Sequence, residues 1–241
     1  MKILVLIISD NSLPHYRHNK DIWLSYMNKY SNIDSFFMEY TKNDHHIFPY
    51  INQNTIYFNG EESMDNLLIK TLDSMEYFIN SNIHYDYILR TNLSTICDFD
   101  KLQEYLISVP NNQLYAGSSM PYYHLIEHYY WFNFIGGMAI IMSNDICKLL
   151  LENRNIAESF KNVDDIDIGY TFHLLNIKNS NINLCIINSF SNFEKQKNII
   201  INKEYIFYRS KSILDDRSDE PLYMKEIVNL IYPFTLLIDK Q

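Results

Sequence analysis

Four short stretches hold the residues able to do chemistry. Asp164-Asp165-Ile166-Asp167 places three carboxylates at the start of an apolar-periodic segment. Acids so placed can cap a helix, where free backbone N–H groups favour negative charge. One of them left free can instead take a proton from a hydroxyl, and crowding of like charge raises the proton affinity of one acid. Arg90-Thr91-Asn92-Leu93-Ser94 follows the strand-like run Tyr85–Leu89, with an arginine, an amide and a hydroxyl but no paired acids or glycines. The carboxyl end of such a strand is where open α/β sheets hold ligands. Arg209, Lys211 and Arg217 lie in "FYRSKSILDDRSD". They form a solvated loop or, folded over a pocket, stabilise a departing diphosphate, work otherwise given to a divalent metal. His124-Leu125-Ile126-Glu127-His128 matches the H-x-x-E-H pattern, in which two imidazoles four apart bind zinc and the glutamate is the base. A third ligand, Glu194 or Glu204, has no helical context, so the bland reading is preferred. It is an aromatic surface of Tyr122, Tyr123, Tyr129, Tyr130 and Trp131, either core packing or a platform for sugar rings.

Composition removes several function classes. Neither GxGxxG nor GxxxxGK[ST] occurs among the five glycines, so any phosphate must be met by side chains and helix ends. Twenty basic and 29 acidic residues give a net charge of −9, which argues against nucleic acid as a partner. The apolar opening "KILVLII" is a strand's length, far short of the roughly 20 residues of a membrane span, and no signal-peptide cleavage region follows it. A cytoplasmic protein is expected, in the host cytoplasm if the source is a virus; the heavy use of Asn, Ile, Lys and Tyr fits an AT-rich genome. Cys97, Cys147 and Cys185 are far apart among apolar neighbours and read as buried free thiols. No Gly/Pro-rich linker divides the 241 residues, so one domain, 1–241, is expected.

The elements that must position these residues alternate between strand and helix. "ILVLII" reads as a buried strand, Asp21 to Lys29 as a helix, and "SFFMEY" and "TIYF" as strands. Leu68, Leu72, Met75 and Ile79 mark a helix over about Asp65–Asn80, with Ser63 as its cap. Lys70 lies off that apolar side, where any surface lysine would be. "YDYILRT" is a strand, and a helix from Asp100 to Ser108 stops before Pro110. "QLYAG" is a strand, the aromatic stretch after Pro121 a loop or short helical turn, and "MAIIM" a buried strand. Ser143 caps a helix through Leu151; another runs from Asp164-Asp165 to about Ile177. "NLCIIN" and "KEYIFY" are strands, and Pro221 suits the first turn of a last helix. The order predicts an α/β fold: a mixed, mostly parallel sheet flanked by helices.

Taken in order, these pieces resemble the GT-A glycosyltransferases, in the branch of beta-1,3-galactosyltransferases, Fringe-like enzymes and their viral and bacterial relatives. "ILVLIIS" and "YRHNKDIW" resemble that branch's first strand and its arginine-to-tryptophan stretch. "EESMDNLLIKTLDSMEYF" resembles its helix with a Lys-Thr pair, "DYILRTNLSTICDFDKL" the strand that carries the DxD aspartates, and "FIGGMAIIMSNDICKLL" the Gly-Gly strand with its Ser-led helix. "DDIDIG" resembles the acidic motif whose second acid is the catalytic base, and "FYRSKSILDDRSD" a closing basic segment. The resemblance covers nearly the whole chain and implies a GT-A, Rossmann-like fold.

It also implies inverting transfer of a sugar from a nucleotide-diphosphate donor, a UDP-sugar favoured, to a hydroxyl of a glycan or glycoprotein. Asp165 is the expected base, with Asp164 the alternative. Ser9, Asp10, Arg17, Lys70, Arg90, Asn92 and Ser94 are expected at the donor, Arg209 and Lys211 at its diphosphate, and Tyr129, Trp131, Gly136 and Gly137 at the acceptor. The family's DxD aspartates fall on Asn92, Leu93 and Ser94, and two neutral oxygens are poor ligands for Mn²⁺ or Mg²⁺. No metal ligand is therefore assigned: a cation is held loosely, or Arg90, Arg209 and Lys211 replace it, or the site has decayed. The alternative from another class is a non-catalytic nucleotide-sugar or carbohydrate-binding module; a zinc hydrolase through His124, Glu127 and His128 is a distant third.

Overall fold

The computed structural model describes residues 1–42, 47–123, 129–214 and 216–233. The first elements are β1 (Ile3–Ile8), α1 (Pro14–Leu24), β2 (Ile33–Thr41), β3 (Tyr50–Asn52), β4 (Thr55–Asn59), α2 (Leu67–Ile79) and β5 (Tyr87–Asn92). Then come β6 (Thr95–Cys97), α3 (Phe99–Ser108), β7 (Tyr115–Tyr123), β8 (Tyr130–Ser143), α4 (Asn144–Glu152), α5 (Arg154–Phe160) and α6 (Asp164–Leu174). The chain finishes with β9 (Asn179–Asn181), β10 (Cys185–Ile187), α7 (Phe190–Ile201), β11 (Phe207–Ser210) and α8 (Glu220–Ile231). These elements group into two compact units. The first comprises Met1–Ile8, Asn32–Asn92 and Pro110–Ile182; the second comprises Ser9–Ser31, Leu93–Val109 and Asn183–Gln241.

The first unit is built on an eight-stranded sheet in the order β3-β4-β2-β1-β5-β8-β7-β9. Pairings β1–β2, β1–β5, β2–β4 and β7–β9 are parallel, and β3–β4, β5–β8 and β7–β8 are antiparallel. This is the mixed α/β sheet that the alternating pattern predicts. Ile3 to Ile7 of β1 have no exposed surface, because β1 is central and apolar on both faces. Leu68, Leu72 and Met75 of α2 join Leu4, Leu6, Met38, Ile88 and Ile140 in one core. Burying side chains of this size is worth roughly 1.5–3 kcal/mol each.

The second unit has a three-stranded sheet, β10-β11-β6. Its aromatic centre stacks Tyr26 on Trp23 and on Tyr232, at centroid distances of 5.0 and 5.2 Å. The Tyr232 hydroxyl accepts from Phe99 N at 2.8 Å and donates to the Cys97 carbonyl at 3.0 Å, so its polar end is satisfied where the ring is buried. Asp98 caps α3, accepting from the Asp100 and Lys101 amides, and Ser189 caps α7. All three cysteines are buried and free, as expected.

Several expectations are corrected. The first helix runs from Pro14 to Leu24, because Pro14 at its start supplies a preset φ and residues 25–29 form turns. The aromatic stretch supplies the end of β7 and the start of β8, an antiparallel pair with Tyr122 opposite Phe132. Aromatic side chains on both faces hide its period-2 alternation. Ser143 stands at the N-cap of α4, as expected, but its hydroxyl makes no bond to the helix amides; it accepts from Leu114 N at 3.0 Å and donates to Asp145 Oδ1. Ser63 Oγ accepts from Asn66 N, one turn ahead of α2. Helix α6 stops at Leu174, and α5 and α7 are additional. Lys70 is not a surface lysine; it is fully buried, its ammonium paired with Glu62 at 2.5 Å and 5.4 Å from the Tyr40 ring centroid.

Candidate active site

Arg90 and Asn92 alternate onto one face at the end of β5. Both reach the Gly137 carbonyl of β8: Asn92 Nδ2 donates to it at 2.9 Å, and Arg90 Nη1 donates to the same oxygen. Arg90 Nη2 forms an ion pair with Asp164, and both side chains are almost completely buried. Thr71 Oγ1 of α2 donates to the same Asp164 oxygen at 3.4 Å. Both contacts engage the same Asp164 oxygen, so this carboxylate is one half of a buried ion pair.

Its neighbour is held differently. Asp165 is half-buried, its Oδ2 accepting from Gly137 N at 2.6 Å and its Oδ1 from Ile166 N at 3.0 Å. Burial raises its pKa above the usual carboxylate range and the charge of Asp164 adds to the rise, while Arg90 and the two amide bonds pull the other way. A part-accessible carboxylate with raised proton affinity is what a general base requires. Asp167, two residues on, accepts from Asn162 N at 2.9 Å, and burial pushes it up to about 6. All three acids lie in the first turn of α6, whose N-cap Val163 offers no side-chain oxygen. They stand where the helix dipole favours negative charge.

Gly137 makes the cluster possible. A Cβ there would lie 2.7 Å from Arg90 Nη1 and 3.1 Å from Asp165 Oδ2. At Gly136 a Cβ would meet Met138 and Met120, so that glycine serves packing. Of the aromatic acceptor candidates, Tyr129 is exposed, whereas Trp131 packs edge-on against Phe160 and Tyr170 at 5.6 and 5.5 Å. Lys70 is engaged with Glu62, although Thr71 beside it reaches Asp164.

The second unit contains the other predicted donor residues. Ser94 is buried; its hydroxyl donates to Glu220 Oε2 at 3.0 Å and accepts from Arg217 Nη2 at 2.6 Å. Arg217 also grips Glu220 through Nε and Nη2, at 2.6 and 2.8 Å, and donates to the Tyr16 hydroxyl at 3.1 Å. Arg209 Nη1 donates to Thr95 Oγ1 at 3.2 Å, opposite it in the β11–β6 pairing, while the Lys211 side chain is exposed. Ser9 is buried, Asp10 accepts from both the amide and the hydroxyl of Ser12, and Arg17 Nε donates to the Asn11 carbonyl. The sequence marks all three cations of the basic segment, Arg209, Lys211 and Arg217; Glu220, which Arg217 grips, carries no sequence signal.

At the DxD positions Asn92 donates its amide N–H to the Gly137 carbonyl, and the Ser94 hydroxyl accepts from Arg217 Nη2. Among the described residues no group of three or more His, Cys, Asp or Glu side chains is placed to hold a metal ion. His124, Glu127 and His128 lie outside the described residues. Among the described residues no helix is long and apolar enough to cross a membrane.

No family model and no curated protein matches the sequence. Solved structures do. A glycosyltransferase involved in the glycosylation of the major capsid of PBCV-1 aligns over 94% of this chain and 100% of its own, at a TM-score of 0.54 and 12% identity. The 4-diphosphocytidyl-2C-methyl-D-erythritol synthase of Anaerococcus prevotii DSM 20548 aligns over 95% and 96%, at a TM-score of 0.50 and 10% identity. At such identities the likeness is one of fold: the chain has the GT-A-like, Rossmann-related α/β fold of these two proteins.

Proposed function

We propose that this protein is a glycosyltransferase that moves a sugar from a nucleotide-diphosphate donor, a UDP-sugar favoured, to a hydroxyl of a glycan or glycoprotein, with inversion and without a divalent metal. The observation that carries the reading is the division of labour at the start of α6, where Asp164 is neutralised by Arg90 and Asp165 is left half-buried with raised proton affinity. In an inverting displacement Asp165 takes the proton of the acceptor hydroxyl as that oxygen attacks the anomeric carbon. The bond from that carbon to the diphosphate breaks on the opposite side, and the diphosphate leaves with the electron pair. The fold shared with a capsid glycosyltransferase supports this class of chemistry, and the ordered motifs of the chain support the beta-1,3-galactosyltransferase and Fringe-like branch.

The metal-free reading rests on the side chains at the DxD positions, an amide and a hydroxyl next to a guanidinium. The test is nucleoside diphosphate release from a panel of nucleotide sugars, with a glycan acceptor mixture, in Mn²⁺ and separately in EDTA. Release from one donor at similar rates in both is the expected result. Release only in Mn²⁺ would overturn metal independence, and donor binding without release would move the protein to the binding-module class.

A further inference from the structure

The resemblance implies that Arg90 binds the donor, and the structure engages its guanidinium with protein groups. Its Nη1 is spent on the Gly137 carbonyl and its Nη2 on Asp164, it is 3% exposed, and its Nε is buried with no hydrogen-bond partner among the described residues. Gly137 is thus held through both of its backbone polar groups, one on each of the peptide planes that meet at its Cα. Arg90 and Asn92 hold its carbonyl, and its N–H is donated to Asp165 Oδ2. Arg90 also ties the first residue of α6 to β5, fixing the helical turn from which Asp165 projects.

We propose that Arg90 is a positioning residue for Asp165: by clamping Asp164 and the Gly137 carbonyl it fixes the first turn of α6 and the backbone of Gly137, the residue whose N–H meets the Asp165 carboxylate, and so sets that carboxylate's orientation. This rests on the reading of Asp165 as the base. A guanidinium suits the task because its planar fork serves two acceptors at once, which an ammonium on a flexible stem does not reproduce. Gly137 is the matching half of the device, since any Cβ there would displace the guanidinium. The charged and titratable groups facing Asp165 are Arg90 of β5, Asp164 and Asp167 of α6, and Tyr115 of β7.

The experiment compares wild type with Arg90→Lys and with the double variant Arg90→Gln/Asp164→Asn, which leaves no unpaired carboxylate where the pair was. Two readouts are taken on each. The first is the amide proton shift of Gly137 across pH, which follows the protonation of the carboxylate it donates to and needs no turnover. The second is kcat and donor KM for nucleoside diphosphate release. In wild type the Gly137 amide titrates; in the double variant that titration flattens, kcat falls by about 100-fold, as loss of orientation entails, and donor KM stays within about twofold. Arg90→Lys recovers part of both. A donor KM raised tenfold with kcat retained would overturn the proposal and return Arg90 to the donor, as would a Gly137 titration unchanged in the double variant. If wild type releases no nucleoside diphosphate from any donor, the transferase reading fails. The Gly137 titration then decides the positioning role alone, its loss supporting the role and its persistence refuting it.

Discussion

Each unit of the molecule carries an arginine–carboxylate pair at the first residue of a helix, Arg90 with Asp164 at α6 and Arg217 with Glu220 at α8. The two pairs do different work because of their neighbours. At α8 both Glu220 oxygens are used: Oε1 by Arg217 and Ser212 N, Oε2 by Arg217 and Ser94. At α6 the pair neutralises one acid and leaves a second beside it, half-buried and repelled by the first. A motif that closes a network in one place thus poises a proton acceptor in the other. The next residue makes the difference, a carboxylate facing a glycine amide rather than a proline, Pro221, opening a helix.

The comparison can be broken at either end. Asp165→Asn should lower transfer by about 1,000-fold, within the range for a general base, whereas Glu220→Gln should leave the chemistry of the base untouched. Glu220→Ala should instead cost about 3 kcal/mol of stability, since it strips a buried network of its anion; chemical denaturation would measure it, and a loss below about 0.5 kcal/mol would mean the α8 pair is decorative. Gly137→Ala, which crowds Arg90 and Asp165, should reduce kcat by about 30-fold with donor affinity kept, if misplacing the base is the cause. Lys211→Ala, at an exposed side chain, should raise donor KM by no more than about threefold.

Asp167 sharpens the comparison through pH. Its folded pKa of about 6 lies above the roughly 3.9 of an unfolded aspartate, so its protonated form is favoured by folding. Its contribution to stability is fully present below the unfolded value and is lost as pH rises through 6. Asp167→Asn, which can still accept from Asn162 N, should therefore gain on the order of 2 kcal/mol over wild type at pH 8 and nothing at pH 3.5. Stability curves at the two pH values check this, and an equal effect at both would show that the charge of Asp167 is unstrained.

The central strands and α2 were legible because their burial follows a simple period: β1 is an unbroken apolar run and α2 repeats at 4-3-4. The β7–β8 pair was not, since Tyr122 and Phe132 face one another among aromatics on both sides of the strands. Helix α7 was missed because its buried Phe193 and Ile200 are diluted by Ser, Asn and Lys. Lys70 was misplaced because helical spacing shows which side of α2 it occupies but not that Tyr40 and Glu62 cover it. At the site, the acids of α6 and the double glycine stood out by residue type. The role of Arg90 did not, because it is set by Asp164, 74 residues away in sequence, and no local pattern encodes that pairing.

The most direct test of the account is calorimetry of donor binding to Asp165→Asn in EDTA, set beside its transfer rate. Binding within about twofold of wild type in a protein that has lost transfer is the predicted result, since a base acts in the chemical step. Loss of binding together with transfer would contradict it and make Asp165 a structural part of the α6 start.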